Sequence, residues 1–118
     1  MSYDQDEEEV LPYSTIGTDE AQKMIEAGAH VIDVRQPDEW FRGHIPEAQL
    51  VPLNGIYSFG HALKDLNLPE NEDVIFVCAS GQRSASASEI ALVVGLNKVY
   101  NLANGMNGWV ARRNPIER

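Results

Sequence analysis

Residues 74–88 constrain the fold more than any other stretch of this chain. Four consecutive apolar residues, Val74–Val77, lead into Cys78, which is the only cysteine of the sequence. The nearly continuous apolar run of residues 30–35 is typical of a parallel strand that is covered on both faces, and residues 74–77 likewise indicate a strand. A short segment containing Gly81 follows, and small residues then begin a helical pattern at Ser84. The stretch therefore predicts a strand, a tight loop and a helix, with a thiol where the strand becomes the loop.

Strand-like and helix-like segments alternate along the rest of the chain. Residues 12–16, 30–35, 49–53 and 98–102 have strand character, and helices are expected over residues 18–27, 37–42, 56–66, 84–94 and 106–112. This alternation predicts an α/β fold, a mostly parallel sheet of about five strands with helices on both faces. Sites in such sheets form at the C-terminal ends of strands. We therefore expect Cys78 to meet residues 33–35 and 102–105 at one edge.

Charge and length limit the classes of function. A chain of 118 residues suits one domain, and five of the acids behind the net charge of −9 lie within residues 4–9. We expect residues 1–10 to form a disordered acidic tail and residues 11–118 to form the folded domain. The tail would either be solvated and aid solubility or dock to a basic partner, and both roles stay open. Negative charge without a basic patch argues against nucleic-acid binding. No apolar run approaches the roughly 20 residues that span a bilayer, and the N-terminus lacks signal-peptide features, so a cytoplasmic protein without membrane contact is expected.

A single cysteine limits the redox chemistry of the chain. It allows no internal disulfide and no internal resolving thiol. Any persulfide or disulfide chemistry at Cys78 must therefore be completed by a second molecule. The three histidines are scattered along the sequence, so we expect no metal site and no cofactor.

The spacing between Cys78 and Arg83 suggests an anion-binding loop. Amides gathered above a helix N-terminus bind anions and lower the pKa of a nearby thiol, which makes it a nucleophile. Gly81 supplies backbone freedom, and Ser84 could cap the helix. Arg83 could bind an oxyanion or turn outward and anchor the loop to acidic residues, and both roles stay open.

Other residues are expected to support this loop. Asp33 interrupts a buried strand, so we expect it to hold neighbouring loops through hydrogen bonds or a cation. Arg35 is expected to form an ion pair with Glu39, four residues later. His44 precedes a proline in a turn and is expected to hydrogen bond there. Three aromatic side chains of the second and last predicted helices are expected in the core, namely Trp40, Phe41 and Trp109.

With these residues in this order, the chain resembles a single-domain member of the rhodanese family of sulfurtransferases. The motifs that carry the resemblance span almost the whole folded part, and in order they are Val31–Arg35, Glu39–Phe41, Gly43–Ala48, Cys78–Ser84 and Leu102–Trp109. Two positions depart from the family pattern. Asn104 stands where many members have glycine, and so does Glu47.

The resemblance implies that Cys78 accepts a sulfane sulfur as a persulfide and passes it to a thiophilic acceptor, cyanide or a thiol. The donor would be thiosulfate, a persulfide or a protein, and a protein is also a candidate acceptor. The resemblance also implies that the sulfur is bound by the loop residues Ala79, Ser80, Gly81, Gln82, Arg83 and Ser84. Related phosphatases have one more residue between cysteine and arginine, so this loop favours sulfur over phosphoryl transfer. The alternative is a catalytically weak protein-binding or sulfur-carrier module.

Overall fold

The computed structural model describes residues 12–118 of the chain. The predicted acidic tail over residues 1–10 lies outside the described residues. Within residues 12–118, no helix is long and apolar enough to cross a lipid bilayer.

Strands and helices alternate along the described chain, as the sequence predicts. The strands are β1 (Ser14–Ile16), β2 (His30–Asp33), β3 (Ala48–Leu50), β4 (Val74–Val77) and β5 (Val99–Leu102). The helices are α1 (Thr18–Glu26), α2 (Pro37–Phe41), α3 (Ile56–Asp65), α4 (Gln82–Val93) and α5 (Gly105–Ala111). The predicted α/β class is confirmed.

The strands form one sheet in the order β1-β5-β4-β2-β3, and every pair in it is parallel. The strand that carries the longest buried run, β4, lies at the centre. It pairs with β2 on one side, where Ile32 is level with Phe76, and with β5 on the other. Because the strands are parallel, the segments that follow β2, β4 and β5 emerge at the same edge of the sheet. The predicted meeting of these segments depends on this geometry.

Apolar side chains of β4 alternate between two cores, one on each face of the sheet. Val74 and Phe76 join the cluster beneath α3 and α4, where Phe59 contacts Phe76 edge to face. Ile75 and Val77 join the cluster beneath α1 and α5. Burial on both faces holds the backbone of β4 rigidly. The strand is therefore a firm base for the residue that follows it, Cys78.

Two local predictions are wrong. The helix after the loop begins at Gln82, with Gly81 as its N-cap and no side-chain cap, so Ser84 lies inside the first turn and does not cap the helix. Phe41 is 67% exposed. Trp40, also expected in the core, is only half-buried and stacks on His44 with ring centroids 3.5 Å apart. Adjacent residues of a helix point about 100° apart, so these two neighbours could not both face the core.

Candidate active site

Cys78 lies directly after β4, beneath the loop that joins this strand to α4. It is only 1% exposed. The rigid central strand fixes its backbone, and the loop covers its side chain. A reaction partner must therefore bring a terminal atom to Sγ through the opening of the loop.

Three groups of the loop and of the first turn of α4 face Sγ of Cys78. The amide of Gly81 donates a hydrogen bond to Sγ over 3.1 Å, and the amide of Ser84 does so over 3.3 Å. The hydroxyl oxygen of Ser84 also lies 3.3 Å from Sγ. Gly81 has a left-handed backbone, with φ of 99°, and this conformation turns the chain into α4. Sγ thus occupies an anion-binding position at a helix N-terminus.

Burial and hydrogen bonding have opposite effects on the Cys78 thiol. Burial alone raises its pKa, because the charged thiolate loses water. The hydroxyl of Ser84 and the amides of Ser84, Ser80 and Gly81 stabilise the thiolate by more than this cost. The pKa of Cys78 is therefore lower than that of an ordinary thiol. A lowered pKa gives more thiolate at neutral pH, and the thiolate is the nucleophile.

Asn101 on β5 orients the loop, a role that the sequence patterns did not predict. Its side chain is 5% exposed on β5. Its Oδ1 accepts a hydrogen bond from the Ser84 hydroxyl over 2.5 Å, and its amide group donates to the carbonyl of Gly81 over 3.2 Å. The hydroxyl has one proton, so it donates to Asn101 while Cys78 is a thiol and can turn to Sγ once the thiolate forms. The signal that could have found Asn101 is a polar residue near the C-terminal end of a buried strand.

The segment after β5 supports the loop from a second side. The amide of Met106 donates to the carbonyl of Cys78 over 2.8 Å, and the amide of Asn107 donates to that of Ala79 over 3.0 Å. Asn104 has a left-handed backbone with φ of 62°, and Gly105 follows with φ of 48°. A Cβ on Gly105 would overlap the backbone of Cys78 and Ala79. This close approach requires glycine, so the predicted meeting of residues 102–105 with Cys78 is a direct backbone contact.

The Arg83 side chain points away from Cys78 and binds the carboxylate of Glu39 on α2. Its two terminal nitrogens donate to the two carboxylate oxygens of Glu39, each over 2.9 Å. This hydrogen bonding lowers the pKa of Glu39 from 4.5 to about 2, against the opposing effect of burial. Of the two roles left open for Arg83, the geometry is that of an outward anchor. The partner of Glu39 is therefore Arg83 and not Arg35.

The predicted ion pair between Arg35 and Glu39 is wrong. The guanidinium of Arg35 donates to both carboxylate oxygens of Asp33, at 2.8–3.1 Å, and its Nη2 also donates to the carbonyl of Gly43 over 2.8 Å. Asp33 is fully buried and Arg35 is 6% exposed. A buried carboxylate requires a cation close by, and Arg35 is two residues away. Asp33 also accepts a hydrogen bond from the amide of Arg35.

The remaining predicted residues take different positions around the loop. His44 makes the expected hydrogen bond, with Nδ1 at 3.0 Å from the carbonyl of Trp40. Trp109 is 1% exposed and donates to the carbonyl of Pro115. Gln82 is exposed as the first residue of α4. Substrate binding by residues 79–84 stays a prediction.

The arrangement can support nucleophilic chemistry by a thiolate. Amides surround the sulfur, and Arg83, the one charged side chain of residues 78–84, is paired with Glu39. Over residues 12–118, no group of three or more His, Cys, Asp or Glu side chains is placed to hold a metal ion. Amides of this kind can stabilise a thiolate or an added terminal sulfur.

Comparison with known proteins gives consistent matches. The family model of the rhodanese-like domain matches residues 17–112. The thiosulfate sulfurtransferase GlpE of Pseudomonas paraeruginosa is 30% identical over 97 residues, which cover 82% of this chain and 84% of that protein. The putative sulfur carrier protein YrkF of Bacillus subtilis is 30% identical over 83 residues, 70% of this chain but 42% of that protein. A crystal structure of a rhodanese-related protein from Thermoplasma volcanium has a TM-score of 0.75 and 30% identity, and the match covers 89% of this chain and 98% of that one.

Proposed function

Since this chain belongs to the rhodanese-like domain family, we propose that it transfers sulfane sulfur through a persulfide formed on Cys78. Relatives named as a thiosulfate sulfurtransferase and as a putative sulfur carrier support sulfur transfer as the general activity. The observation that carries the proposal is the set of amides on Sγ, from Gly81 at 3.1 Å and Ser84 at 3.3 Å. These donors stabilise the attacking thiolate before the reaction and the persulfide after it.

In the first step, the Cys78 thiolate attacks the terminal sulfur of the donor. With a hydropersulfide, R–S–SH, the new S–S bond forms on Cys78 and the donor's own S–S bond breaks. The donor leaves as the thiolate R–S⁻ with the electron pair, and Cys78 becomes Cys–S–SH. With thiosulfate the same attack releases sulfite and leaves Cys–S–S⁻. No external oxidant or reductant is needed in either case.

In the second step, a thiophilic acceptor attacks the outer sulfur of the persulfide. Cyanide takes this sulfur to become thiocyanate, and an acceptor thiolate takes it to become a new hydropersulfide. The Cys78–S bond to the outer sulfur breaks, and Cys78 leaves as the thiolate. The amides of Gly81 and Ser84 favour this departure because they stabilise the thiolate. The cycle therefore returns the enzyme to its starting form without a second cysteine.

A sulfur carrier is the second candidate, and the match to YrkF favours it. A carrier would form the same persulfide but would release its sulfur only to a docked protein. The buried position of Cys78, 1% exposed, agrees with either role. The two candidates differ in turnover with a small acceptor.

Thiocyanate formation from cyanide tests the enzymatic role. We expect turnover with thiosulfate or with cysteine persulfide as donor, and we expect none in Cys78→Ser. Multiple turnovers that depend on Cys78 support a sulfurtransferase. Rates equal to those of Cys78→Ser with both donors would contradict it. One sulfur bound per chain without turnover would support the carrier.

A further inference from the structure

The ion pair between Arg83 and Glu39 links the first turn of α4 to α2, next to the loop that covers Cys78. Both terminal nitrogens of Arg83 contact the carboxylate, each at 2.9 Å. The Arg83 side chain is 40% exposed and that of Glu39 is 26% exposed. A bidentate contact of this kind fixes the guanidinium in one direction. The charge of Arg83 is therefore committed to α2 and not to the loop opening.

The pair leaves the loop with uncharged donors alone. Arg83 is the only charged residue between Cys78 and Ser84. The other arginine at this sheet edge, Arg35, is bound to Asp33 and to the carbonyl of Gly43. The hydrogen bonds to Glu39 and, to a smaller extent, the charges of Glu39 and of the Cys78 thiolate raise the pKa of Arg83, against the effect of burial. Arg83 is thus within electrostatic reach of the sulfur but held by another partner.

The charge of a sulfur donor decides how much it needs a cation. Thiosulfate is a dianion, and after attack it leaves as the sulfite dianion. A hydropersulfide is neutral or a monoanion, and it leaves as a singly charged thiolate. Close to a thiolate, a second and third negative charge are repelled unless a cation compensates them. A loop without a free cation therefore discriminates against dianionic donors.

Resting on the proposed sulfur transfer, we propose that Glu39 is a positioning residue that selects the class of sulfur donor. By holding Arg83 away from the loop opening, Glu39 disfavours dianionic donors such as thiosulfate and favours hydropersulfides. Removing the carboxylate frees Arg83 to turn toward the opening. The site then gains a charge-assisted donor for a sulfonate group.

Sulfate binding tests this inference without any sulfur transfer, because sulfate is a dianion that cannot donate sulfane sulfur. We would titrate sulfate into the full chain and follow the NMR amide signals of Gly81 and Ser84. In Glu39→Gln, we expect the sulfate dissociation constant to fall about tenfold, the effect of one hydrogen bond to a charged group. Glu39→Gln keeps a side-chain oxygen that can accept the hydrogen bond from the backbone amide of Gln36. This hydrogen bond caps α2 in the wild type.

Three further variants control this titration. Glu39→Ala removes every contact with Arg83 and should tighten sulfate binding as Glu39→Gln does. The double variant Glu39→Gln/Arg83→Gln should return the sulfate affinity to the wild-type value. Asp19→Asn breaks an exposed ion pair with Arg112 that is 2.8 Å long and involves no residue of the loop, and it should change nothing. Unchanged sulfate affinity in both folded Glu39 variants would overturn the inference.

Steady-state kinetics provide the second measurement, with thiosulfate and cysteine persulfide as donors. In Glu39→Gln, we expect KM for thiosulfate to fall about tenfold, while kcat/KM for cysteine persulfide stays within about twofold. An equal loss of kcat/KM with both donors would show that Glu39 only braces the loop, and would overturn the inference. If neither donor sulfurates wild-type Cys78 while sulfate binding responds as expected, the proposed function fails and the role of Glu39 in anion selection stands.

Discussion

The sulfur of Cys78 is buried, yet its pKa is lowered, and single residues explain the difference. Burial raises the pKa, while Ser84 lowers it twice, through its hydroxyl and through its amide. Asn101 holds that hydroxyl in place from β5. Each contact is worth little alone, but together they set how much thiolate exists at neutral pH.

Ser84→Ala removes the hydroxyl beside Cys78 and keeps the amide. We expect a higher pKa for Cys78, hence less thiolate at pH 7 and alkylation by iodoacetamide that is about tenfold slower. The difference should vanish at high pH, where both thiols are ionised. Ser86→Ala, an exposed serine of the same helix, is the matched control and should react as the wild type does. Equal rates at pH 7 in Ser84→Ala and the wild type would contradict the role of the hydroxyl.

Gly105→Ala tests the backbone contact beneath the loop. The added Cβ would overlap the Cys78 carbonyl and Ala79, so the two segments must separate. We expect the free energy of unfolding measured in urea to fall by about 3 kcal/mol and the rate of sulfur transfer to fall strongly. Gly95→Ala is the control, because Gly95 has a φ of 108° with no atom within 4 Å of an added Cβ. The free energy of unfolding of Gly95→Ala should fall by only about 1 kcal/mol, because of backbone strain. Equal losses in the two variants would contradict a contact effect.

Secondary-structure elements contact one another at the site, and only some of these contacts could be predicted from the sequence. The strand, loop and helix around Cys78 follow from a local apolar run and a local glycine, so they could be predicted. The partner of Arg83 lies 44 residues away on α2, and only the tertiary fold brings the two side chains together. Spacing suggested Arg35 as the partner of Glu39, but the buried carboxylate of Asp33 is a nearer and stronger partner. Asn101 was missed because its role depends on pairing between β4 and β5.

The stabilisation by the ion pair between Glu39 on α2 and Arg83 on α4 should depend on pH. The pKa of Glu39 is lowered from 4.5 to about 2, chiefly by hydrogen bonds from Arg83. The carboxylate therefore stabilises the fold fully above pH 4.5, and this contribution is lost as the pH falls toward 2. Because solvent screens the partly exposed pair, we expect a contribution of about 1 kcal/mol.

Urea unfolding at several pH values measures this contribution. Between pH 5 and 2, the free energy of unfolding should fall by about 1 kcal/mol more in the wild type than in Glu39→Gln. Asp19→Asn, which breaks an exposed pair, should follow the wild type. Parallel curves for the wild type and Glu39→Gln would contradict the lowered pKa of Glu39.

The parallel sheet explains why segments far apart in sequence build one site. Residues after β2, β4 and β5 emerge at one edge because all strand pairs are parallel, and the alternation of elements was enough to predict this. The two apolar cores contain residues that alternate along β4. The sequence predicted this strand and helices on both faces of the sheet, but it did not predict which core each residue joins. The exposure of Phe41 was not, because the orientation of a five-residue helix depends on its neighbours and not on its own pattern.

We propose that residues 11–118 form the folded domain and that residues 1–10 are not needed for its stability. Deleting residues 1–10 should leave the thermal midpoint and the rate of sulfur transfer unchanged. Calorimetry and thiocyanate assays on the full and shortened chains provide the comparison. A lower midpoint in the shortened chain would contradict this division of the chain.

The mass of the intact protein after exposure to a sulfur donor tests whether Cys78 carries sulfur. The wild type, incubated with thiosulfate or with cysteine persulfide, should gain the mass of one sulfur atom. Cyanide or a reductant should remove this mass, and Cys78→Ser should never acquire it. A wild-type chain that gains no sulfur from either donor, or a Cys78→Ser chain that gains as much, would contradict a persulfide at Cys78.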